Sequence, residues 1–159
     1  METVDRTRLR FDSLQQEAFL GLWRTYDRLR SHEDELFASF DLTPQQYNVL
    51  RLLQASHPVP MPTLAVAERL VSKAPDITRM LDKLVERGWV ERTRSASDRR
   101  TVLVGILPQG EELLSRIAAP LRECHQAQLG HLTPKELKLL VKLLQVARRP
   151  HESEDSAWR

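Results

Sequence analysis

The sequence of 159 residues has one cysteine, few aromatic residues and no long apolar run. Cys124 alone cannot form a disulfide within the chain, which fits a reducing compartment such as the cytoplasm. No apolar stretch approaches the roughly 20 residues that a transmembrane helix needs. The charged residues 1–12 also lack the apolar core of a secretory signal. We therefore expect a cytoplasmic protein with no membrane segment.

Sequence motifs that carry enzyme chemistry are also missing. The chain has no GxGxxG or phosphate-binding glycine loop, no HExxH motif, and no nucleophile with a base at a convincing spacing. Its five histidines are scattered, and none has a second histidine, a cysteine or a carboxylate at a spacing typical of zinc. The sequence therefore predicts a protein that is not an enzyme and that uses no metal or other cofactor.

Positive charge is concentrated in one segment, although the net charge is only +2. Residues 69–100 have 9 basic and 5 acidic side chains, whereas residues 1–68 have 7 basic and 10 acidic ones. Within the stretch 91–104, ERTRSASDRRTVLV, four arginines surround one aspartate, Asp98. A local positive field attracts polyanions, so this segment is the candidate contact with nucleic acid.

Apolar periodicity predicts a mainly α-helical chain. Residues 11–40 have apolar side chains at helical spacing and no proline, which indicates one long amphipathic helix. Its apolar face is wider than one small core requires, which favours a partner helix. Two further helices are predicted to begin with capping boxes, at Thr43-Pro44 and at Thr133-Pro134. Another helix is expected from 109 to about 129, and the polar tail after residue 148 is expected to fray.

The middle of the chain combines two short helices with a β-hairpin. A helix from about Pro62 to Leu70 is followed by a second over 75–87, which has a regular apolar face and ends at Gly88. The segments WVER and TVLVGIL are then short and β-branched, so we predict a two-stranded hairpin with its basic tip at 93–100. This order of elements is that of a winged helix-turn-helix, with long helices at both ends for dimerisation.

The outward face of the second short helix and the hairpin tip contain the candidate DNA contacts. A helix fits the major groove, and a thin loop can enter the narrower minor groove. Arginine can bind guanine with two hydrogen bonds, and a carboxylate such as Asp98 could orient the guanidinium of Arg100 or of a neighbour. With the helix start at Thr63 as a phosphate contact, the candidates are Thr63, Lys73, Thr78, Arg79, Lys83, Arg94, Asp98, Arg99 and Arg100.

Two other interpretations stay open for this basic segment. Asp82 and Glu86 could pair with basic residues of the same helix, which would leave a merely solvated face. A winged helix can also bind a protein instead of DNA, but such a module needs no basic tip. Because the four arginines of the stretch 91–104, including Arg92, are hard to explain as surface pairs, DNA binding is favoured.

The stretch 78–104, TRMLDKLVERGWVERTRSASDRRTVLV, closely resembles the recognition helix and wing of the MarR family of bacterial transcription regulators. That family's wing contains the pattern D-x-R, here Asp98-Arg99-Arg100. The resemblance implies a triangular homodimer built from one domain, 1–159, with dimerisation helices over 11–40 and 109–148. The winged helix-turn-helix lobe would then be 43–107.

The resemblance also implies a repressor that binds a pseudo-palindromic operator. Carried over by position, Thr78 and Arg79 contact DNA from the recognition helix, and Arg100 is the wing arginine oriented by Asp98. Many members release DNA when a small phenolic or anionic molecule binds. Trp23 and Tyr26 are the candidate residues for such a pocket, although core or dimer-interface roles also explain them.

One feature of this chain differs from the peroxide-sensing members of the family, and two depart from family habit. Peroxide-sensing members use a cysteine in the first helix, whereas Cys124 lies on a later apolar stripe, so we expect a packed thiol. Ile106-Leu107 and Pro108 stand where a capping Leu-Thr is common, so the next helix lacks that cap. The residues before the recognition helix read SKAPD instead of containing serines, so contacts at Lys73 and Ala74 are expected to differ.

Overall fold

The structure is a computed structural model that describes residues 10–159. Residues 1–9 lie outside the described residues. They include the start of the predicted domain and most of the N-terminal stretch in which no secretory signal is expected. The helices and strands follow in the predicted order, with one additional short strand: α1 Leu14–Ser39, α2 Pro44–Ser56, β1 Met61–Pro62, α3 Thr63–Arg69, α4 Ile77–Glu86, β2 Val90–Arg94, β3 Val102–Ile106, α5 Pro108–Leu129, α6 Pro134–Arg148 and a 3-10 turn Arg149–His151.

Both predicted capping boxes are present. The Thr43 hydroxyl accepts a hydrogen bond from the Gln46 N–H at 3.1 Å, and the Gln46 side chain accepts one from the Thr43 N–H at 3.0 Å. Thr133 and Glu136 form the same pair at the start of α6. The hydrogen bonds from Thr133 lower the pKa of the Glu136 carboxyl. These short-range contacts fix where α2 and α6 begin.

Helix α5 begins at Pro108 without a side-chain cap, as the departure at 106–108 indicates. Leu107 has an extended backbone, and Pro108 occupies the first turn, where its missing N–H leaves no hydrogen bond unmade. Gly110 lets this helix start close to β2, because a Cβ there would lie 2.4 Å from the Trp89 carbonyl oxygen. The first turn of α5 is therefore held against the base of the wing.

The sheet differs from the predicted two-stranded hairpin because it has a third strand. Its antiparallel order is β1-β3-β2, and Met61 pairs with Val104. A two-residue strand that follows Pro60 and ends on Pro62 has too little length for an alternating pattern, so the sequence does not reveal it. The hairpin pairs as far as Arg94 and Val102, and its tip is 95–101.

The hydrophobic core lies in the helix-turn-helix lobe and continues into α5. Helices α2, α3 and α4 pack against the small sheet, and α5 packs against α1 and α2. Almost complete burial of large aliphatic side chains makes this the most stable part of the chain, since Leu-to-Ala changes in such positions cost about 2–5 kcal/mol. The most completely buried side chains are Val49, Leu50, Leu53, Val66, Leu81, Leu84, Val90, Val104 and Ile117.

Helices α1 and α6 leave wide apolar faces uncovered within one chain. No residue of α6 is buried, although the helix is rich in leucine and valine. Exposed apolar area on this scale marks an interaction surface. None of the helices that the structure describes is long and apolar enough to cross a membrane. The exposed large apolar side chains of the two helices are Leu14, Phe19, Leu20, Leu22, Trp23, Tyr26, Leu139, Val141, Leu143 and Val146.

The C-terminal tail is mostly exposed, but contacts of Trp158 and Arg148 hold it in place, which differs from the expectation that it frays. The Trp158 indole N–H donates to the Arg69 carbonyl oxygen at 3.2 Å, at the end of α3. Arg148 donates to the Trp158 carbonyl oxygen at 3.0 Å, and its guanidinium lies 5.6 Å from the centre of the ring. The aromatic side chain of Trp158 thus connects the polar tail to the helix-turn-helix lobe.

Candidate nucleic-acid interface

Helix α4 presents a polar face opposite the core. Its buried side chains are Leu81 and Leu84, while Thr78, Arg79 and Lys83 are exposed. The helix begins two residues later than predicted because Asp76 is its N-cap, and the Asp76 carboxylate accepts from the Arg79 N–H at 2.9 Å. An aspartate directly before the first apolar residue was the available signal for this cap.

The structure brings three of the predicted contact residues around one cleft. Thr63 at the start of α3, Thr78 on α4 and Arg100 in the wing line an open cavity of about 410 Å³. The Thr63 hydroxyl donates to the Val102 carbonyl oxygen at 3.2 Å, which joins α3 to the wing. Helix α4 and the wing therefore both border this cleft.

The remaining predicted residues are spread around this cleft. Lys73 lies in the turn before α4, and Arg94 ends β2. Lys83 faces a different cavity, beside Gln46. Across residues 10–159, no ion pair involves any of the predicted basic contacts, which are Lys73, Arg79, Lys83, Arg94, Arg99 and Arg100. Their charge is thus available to an external anion.

Asp98 acts on the backbone of the wing tip instead of on a guanidinium. Its carboxylate accepts from the Arg100 N–H at 3.0 Å and from the Thr101 hydroxyl at 3.1 Å. The Asp98 carbonyl oxygen accepts from the Thr101 N–H at 2.9 Å, and Ser95 N–H donates to the Thr101 carbonyl oxygen at 3.0 Å. This is an Asx-type turn. The expected carboxylate–guanidinium pair is absent from the described ion pairs, and Asp98 orders the tip from which the arginines project.

Two other arginines pair with acidic residues. One of them is Arg92, so the expectation that the arginines of the stretch 91–104 form no surface pairs is wrong for this residue. Arg92 on β2 pairs with Asp82 on α4, and Arg87 pairs with Asp41. Neither pair is the helix-internal one that the alternative interpretation requires, because Asp82 reaches across to the wing. These long-range pairs depend on the fold, and helical spacing alone could not reveal them.

The two candidate effector residues lie one turn apart on α1 but differ in their surroundings in the single chain. Tyr26 lines a cavity of about 480 Å³ between α1, α2 and α5, with Arg30, Tyr47 and His125 among its other walls. Burial raises the pKa of the Tyr47 hydroxyl. Trp23 does not line this cavity and is 64% exposed on α1. Tyr26 therefore lies at this cavity, and Trp23 does not.

Cys124 is half-buried and packs against the core, as expected for a packed thiol. Burial and the nearby negative charge of Glu33 raise the pKa of the thiol. A raised pKa lowers the fraction of reactive thiolate at neutral pH. This environment is the opposite of the electropositive surroundings of a redox-sensing cysteine.

Known proteins share both the sequence and the shape of this chain. Residues 42–102 match the sequence model of the MarR family. The transcriptional regulator HosA of Escherichia coli O157:H7 is 33% identical over 105 residues, which are 65% of this chain and 76% of HosA. A MarR transcription factor from Planctomyces limnophilus is 52% identical, with a TM-score of 0.68 over 86% of this chain and 99% of that one. A cysteine-to-serine mutant of MarR from E. coli, in complex with operator DNA, is 27% identical, with a TM-score of 0.70 over 86% and 99% of the two chains.

Proposed function

Because the chain belongs to the MarR family of transcriptional regulators, we propose that it is a homodimeric repressor that binds a pseudo-palindromic operator in double-stranded DNA. The observation that carries this proposal is that Thr78 on α4 and Arg100 in the wing line the same cleft, with further exposed basic side chains on both elements. The structural similarity to MarR in complex with operator DNA supports the same orientation of the lobe on DNA. A cytoplasmic location follows from that role.

In this proposal α4 enters the major groove and the wing follows the adjacent minor groove. Thr78 and Arg79 are the base contacts, because they lie on the exposed face of α4 near its N-terminus. The phosphate and minor-groove contacts come from the basic residues around the cleft and from the start of α3. These are Thr63, Lys73, Lys83, Arg94, Arg99 and Arg100, with Asp98 ordering the wing tip.

The apolar faces of α1 and α6 support the homodimer. Val141 is 55% exposed in the single chain, and no residue of its helix is buried. Association of these faces with those of a second copy removes this apolar area from water. The whole chain is then one domain, and its two recognition helices read half-sites whose centres lie about one helical turn, roughly 10 bp, apart.

The cavity at Tyr26 supports control by a small aromatic or anionic effector. Tyr26 and the stacked pair Phe37 and Tyr47, with ring centres 4.7 Å apart, provide aromatic surface. Arg30 adds a guanidinium to the wall of the cavity, where it pairs with Asp34 at 3.2 Å, so an anion would have to replace that partner. Since the cavity lies between α1 and α2, its occupant would contact both the dimerisation helix and the DNA-binding lobe. Trp23, which lies outside the cavity, is assigned to the dimer interface.

The separation of roles between helix and wing provides a test. We expect Arg79→Ala to cost on the order of 1–3 kcal/mol at particular base pairs and to relax the preference there. Arg100→Ala should weaken binding to most sequences and lower the slope of log affinity against log salt by about 1. Fluorescence anisotropy with an operator and its single-base variants measures both effects.

Arg51→Ala is the matched control, because Arg51 is an exposed arginine of α2 outside the contact set. Its loss should change affinity much less than either of the other substitutions. Equal base discrimination by the wild type and Arg79→Ala would contradict the assignment of roles. Indifference of the wild type to DNA sequence and to salt would favour a winged helix that binds protein.

A further inference from the structure

The end of the recognition helix is anchored to the junction between α1 and α2. Arg87, the C-cap of α4, donates from Nη2 to the Asp41 carboxylate and also, at 3.3 Å, to the Asp41 carbonyl oxygen. The same guanidinium lies 4.7 Å from the centre of the Trp89 ring. Three groups thus hold one side chain, and two of them belong to a residue 46 positions away in the sequence.

Asp41, at this junction, has a backbone conformation that residues other than glycine rarely adopt. Its φ is +55°, in the left-handed region that glycine adopts most easily. Aspartate is one of the few other residues that tolerate this region, at some cost. A glycine would relieve the strain but would remove the carboxylate. Aspartate at this position keeps the carboxylate that pairs with Arg87.

From these contacts we infer that Asp41, Arg87 and Trp89 form a tether that fixes the orientation of α4 relative to α1, and thereby the half-site spacing that the dimer accepts. The inference rests on the proposed function, since α1 is the proposed dimerisation helix. If α1 is fixed in the dimer, the angle of α4 to α1 sets the separation of the two recognition helices. Asp41 and Arg87 are positioning residues in this account and do not touch DNA.

The other arginine pair on α4 provides the contrast. Arg92 and Asp82 join α4 to β2, both of which belong to the same lobe. Loss of that pair can disturb the lobe itself, but it leaves the connection from α4 to α1 in place. Asp82→Asn is therefore the matched control for Asp41→Asn, because each removes one acidic partner of an arginine.

The first test measures spacing discrimination. We would compare the affinity for the operator with that for versions in which one base pair is inserted or deleted between the half-sites. Asp41→Gly, which suits the positive φ, and Asp41→Asn should reduce the discrimination ratio about threefold, the size of one exposed ion pair. Asp82→Asn should leave the ratio at the wild-type value. Both substitutions at Asp41 remove a negative charge, so weaker selectivity cannot be attributed to lost attraction to DNA.

A measurement without DNA separates failure of the tether from failure of the proposed function. Spin labels on Thr78→Cys in a Cys124→Ser background report the distance between the two recognition helices of a dimer. We expect one narrow distance distribution, and a broader one when Asp41→Gly is added. If the wild type selects no inverted repeat from a DNA library, the repressor proposal fails. The distances between the spin labels then show whether the tether exists.

If the wild type does select an inverted repeat, the discrimination ratio between operator spacings shows whether the tether exists. A ratio for Asp41→Gly equal to that of the wild type would then overturn the tether while leaving the repressor intact. Without an inverted repeat, unchanged label distances would overturn it. If no distance between labels is found, the chain is not a dimer, and this result overturns the tether together with the homodimer.

Discussion

Replacing Asp98 with alanine should weaken operator binding, even though it removes a negative charge from the wing. The carboxylate accepts hydrogen bonds from the Arg100 N–H and the Thr101 hydroxyl, at 3.0 and 3.1 Å. Each such bond contributes about 0.5–1.5 kcal/mol, so their loss loosens the tip by roughly 1–3 kcal/mol. Order must then be restored when DNA binds.

The lost negative charge has the opposite effect on DNA binding. One exposed charge near phosphates contributes up to about 1 kcal/mol at moderate salt. The net expectation for Asp98→Ala is thus a loss of about 1 kcal/mol, or roughly fivefold weaker binding. Anisotropy titrations at two salt concentrations measure this change, because the electrostatic contribution diminishes at higher salt and the loss of order does not.

Asp98→Asn is the control that separates the two effects. The asparagine Oδ1 can still accept from the Arg100 N–H, so the turn is retained while the charge is lost. This variant should bind DNA as tightly as the wild type, or more tightly. The same affinity with alanine and with asparagine at this position would refute the ordering role of Asp98.

Three further predictions concern the rest of the chain. Val141→Glu places a charge on the exposed apolar face of α6 and should produce monomers in sedimentation experiments, so that a dimer of unchanged stability would contradict the proposed interface. Cys124, whose thiol pKa is raised by burial and by Glu33, should react with a disulfide reagent at pH 7 more slowly in the folded chain than in urea; equal rates would contradict the packed environment. Trp158→Ala should increase hydrogen exchange in residues 152–159 and at the end of α3, whereas unchanged exchange would show that the tail does not depend on this contact.

The parts of the fold that depend on neighbouring residues were predictable from the sequence. The capping boxes at Thr43 and Thr133 are local hydrogen bonds, and the sequence contains all of their partners within four positions. The regular apolar face of α4 predicted a helix packed on a core, and Leu81 and Leu84 are buried there. The basic segment predicted exposed basic side chains, and Arg79, Arg94, Arg99 and Arg100 are exposed.

Features that depend on distant residues were beyond a reading of the sequence. Strand β1 exists only because Met61 meets Val104 after the chain has folded. The pairing of Arg87 with Asp41 likewise joins residues that have no common pattern in the sequence. Asp98 is an intermediate case, because its position in the wing was predicted while its hydrogen-bond partner was not.

Selection from a random duplex library by the purified chain, followed by anisotropy titration of the selected sequences at two salt concentrations, tests the central claim most directly. We predict an inverted repeat with half-site centres about 10 bp apart. We also predict an affinity that falls steeply as salt rises, because basic side chains displace counterions from several phosphates. A library without an enriched repeat, together with weak binding that is indifferent to salt, would contradict the proposed function.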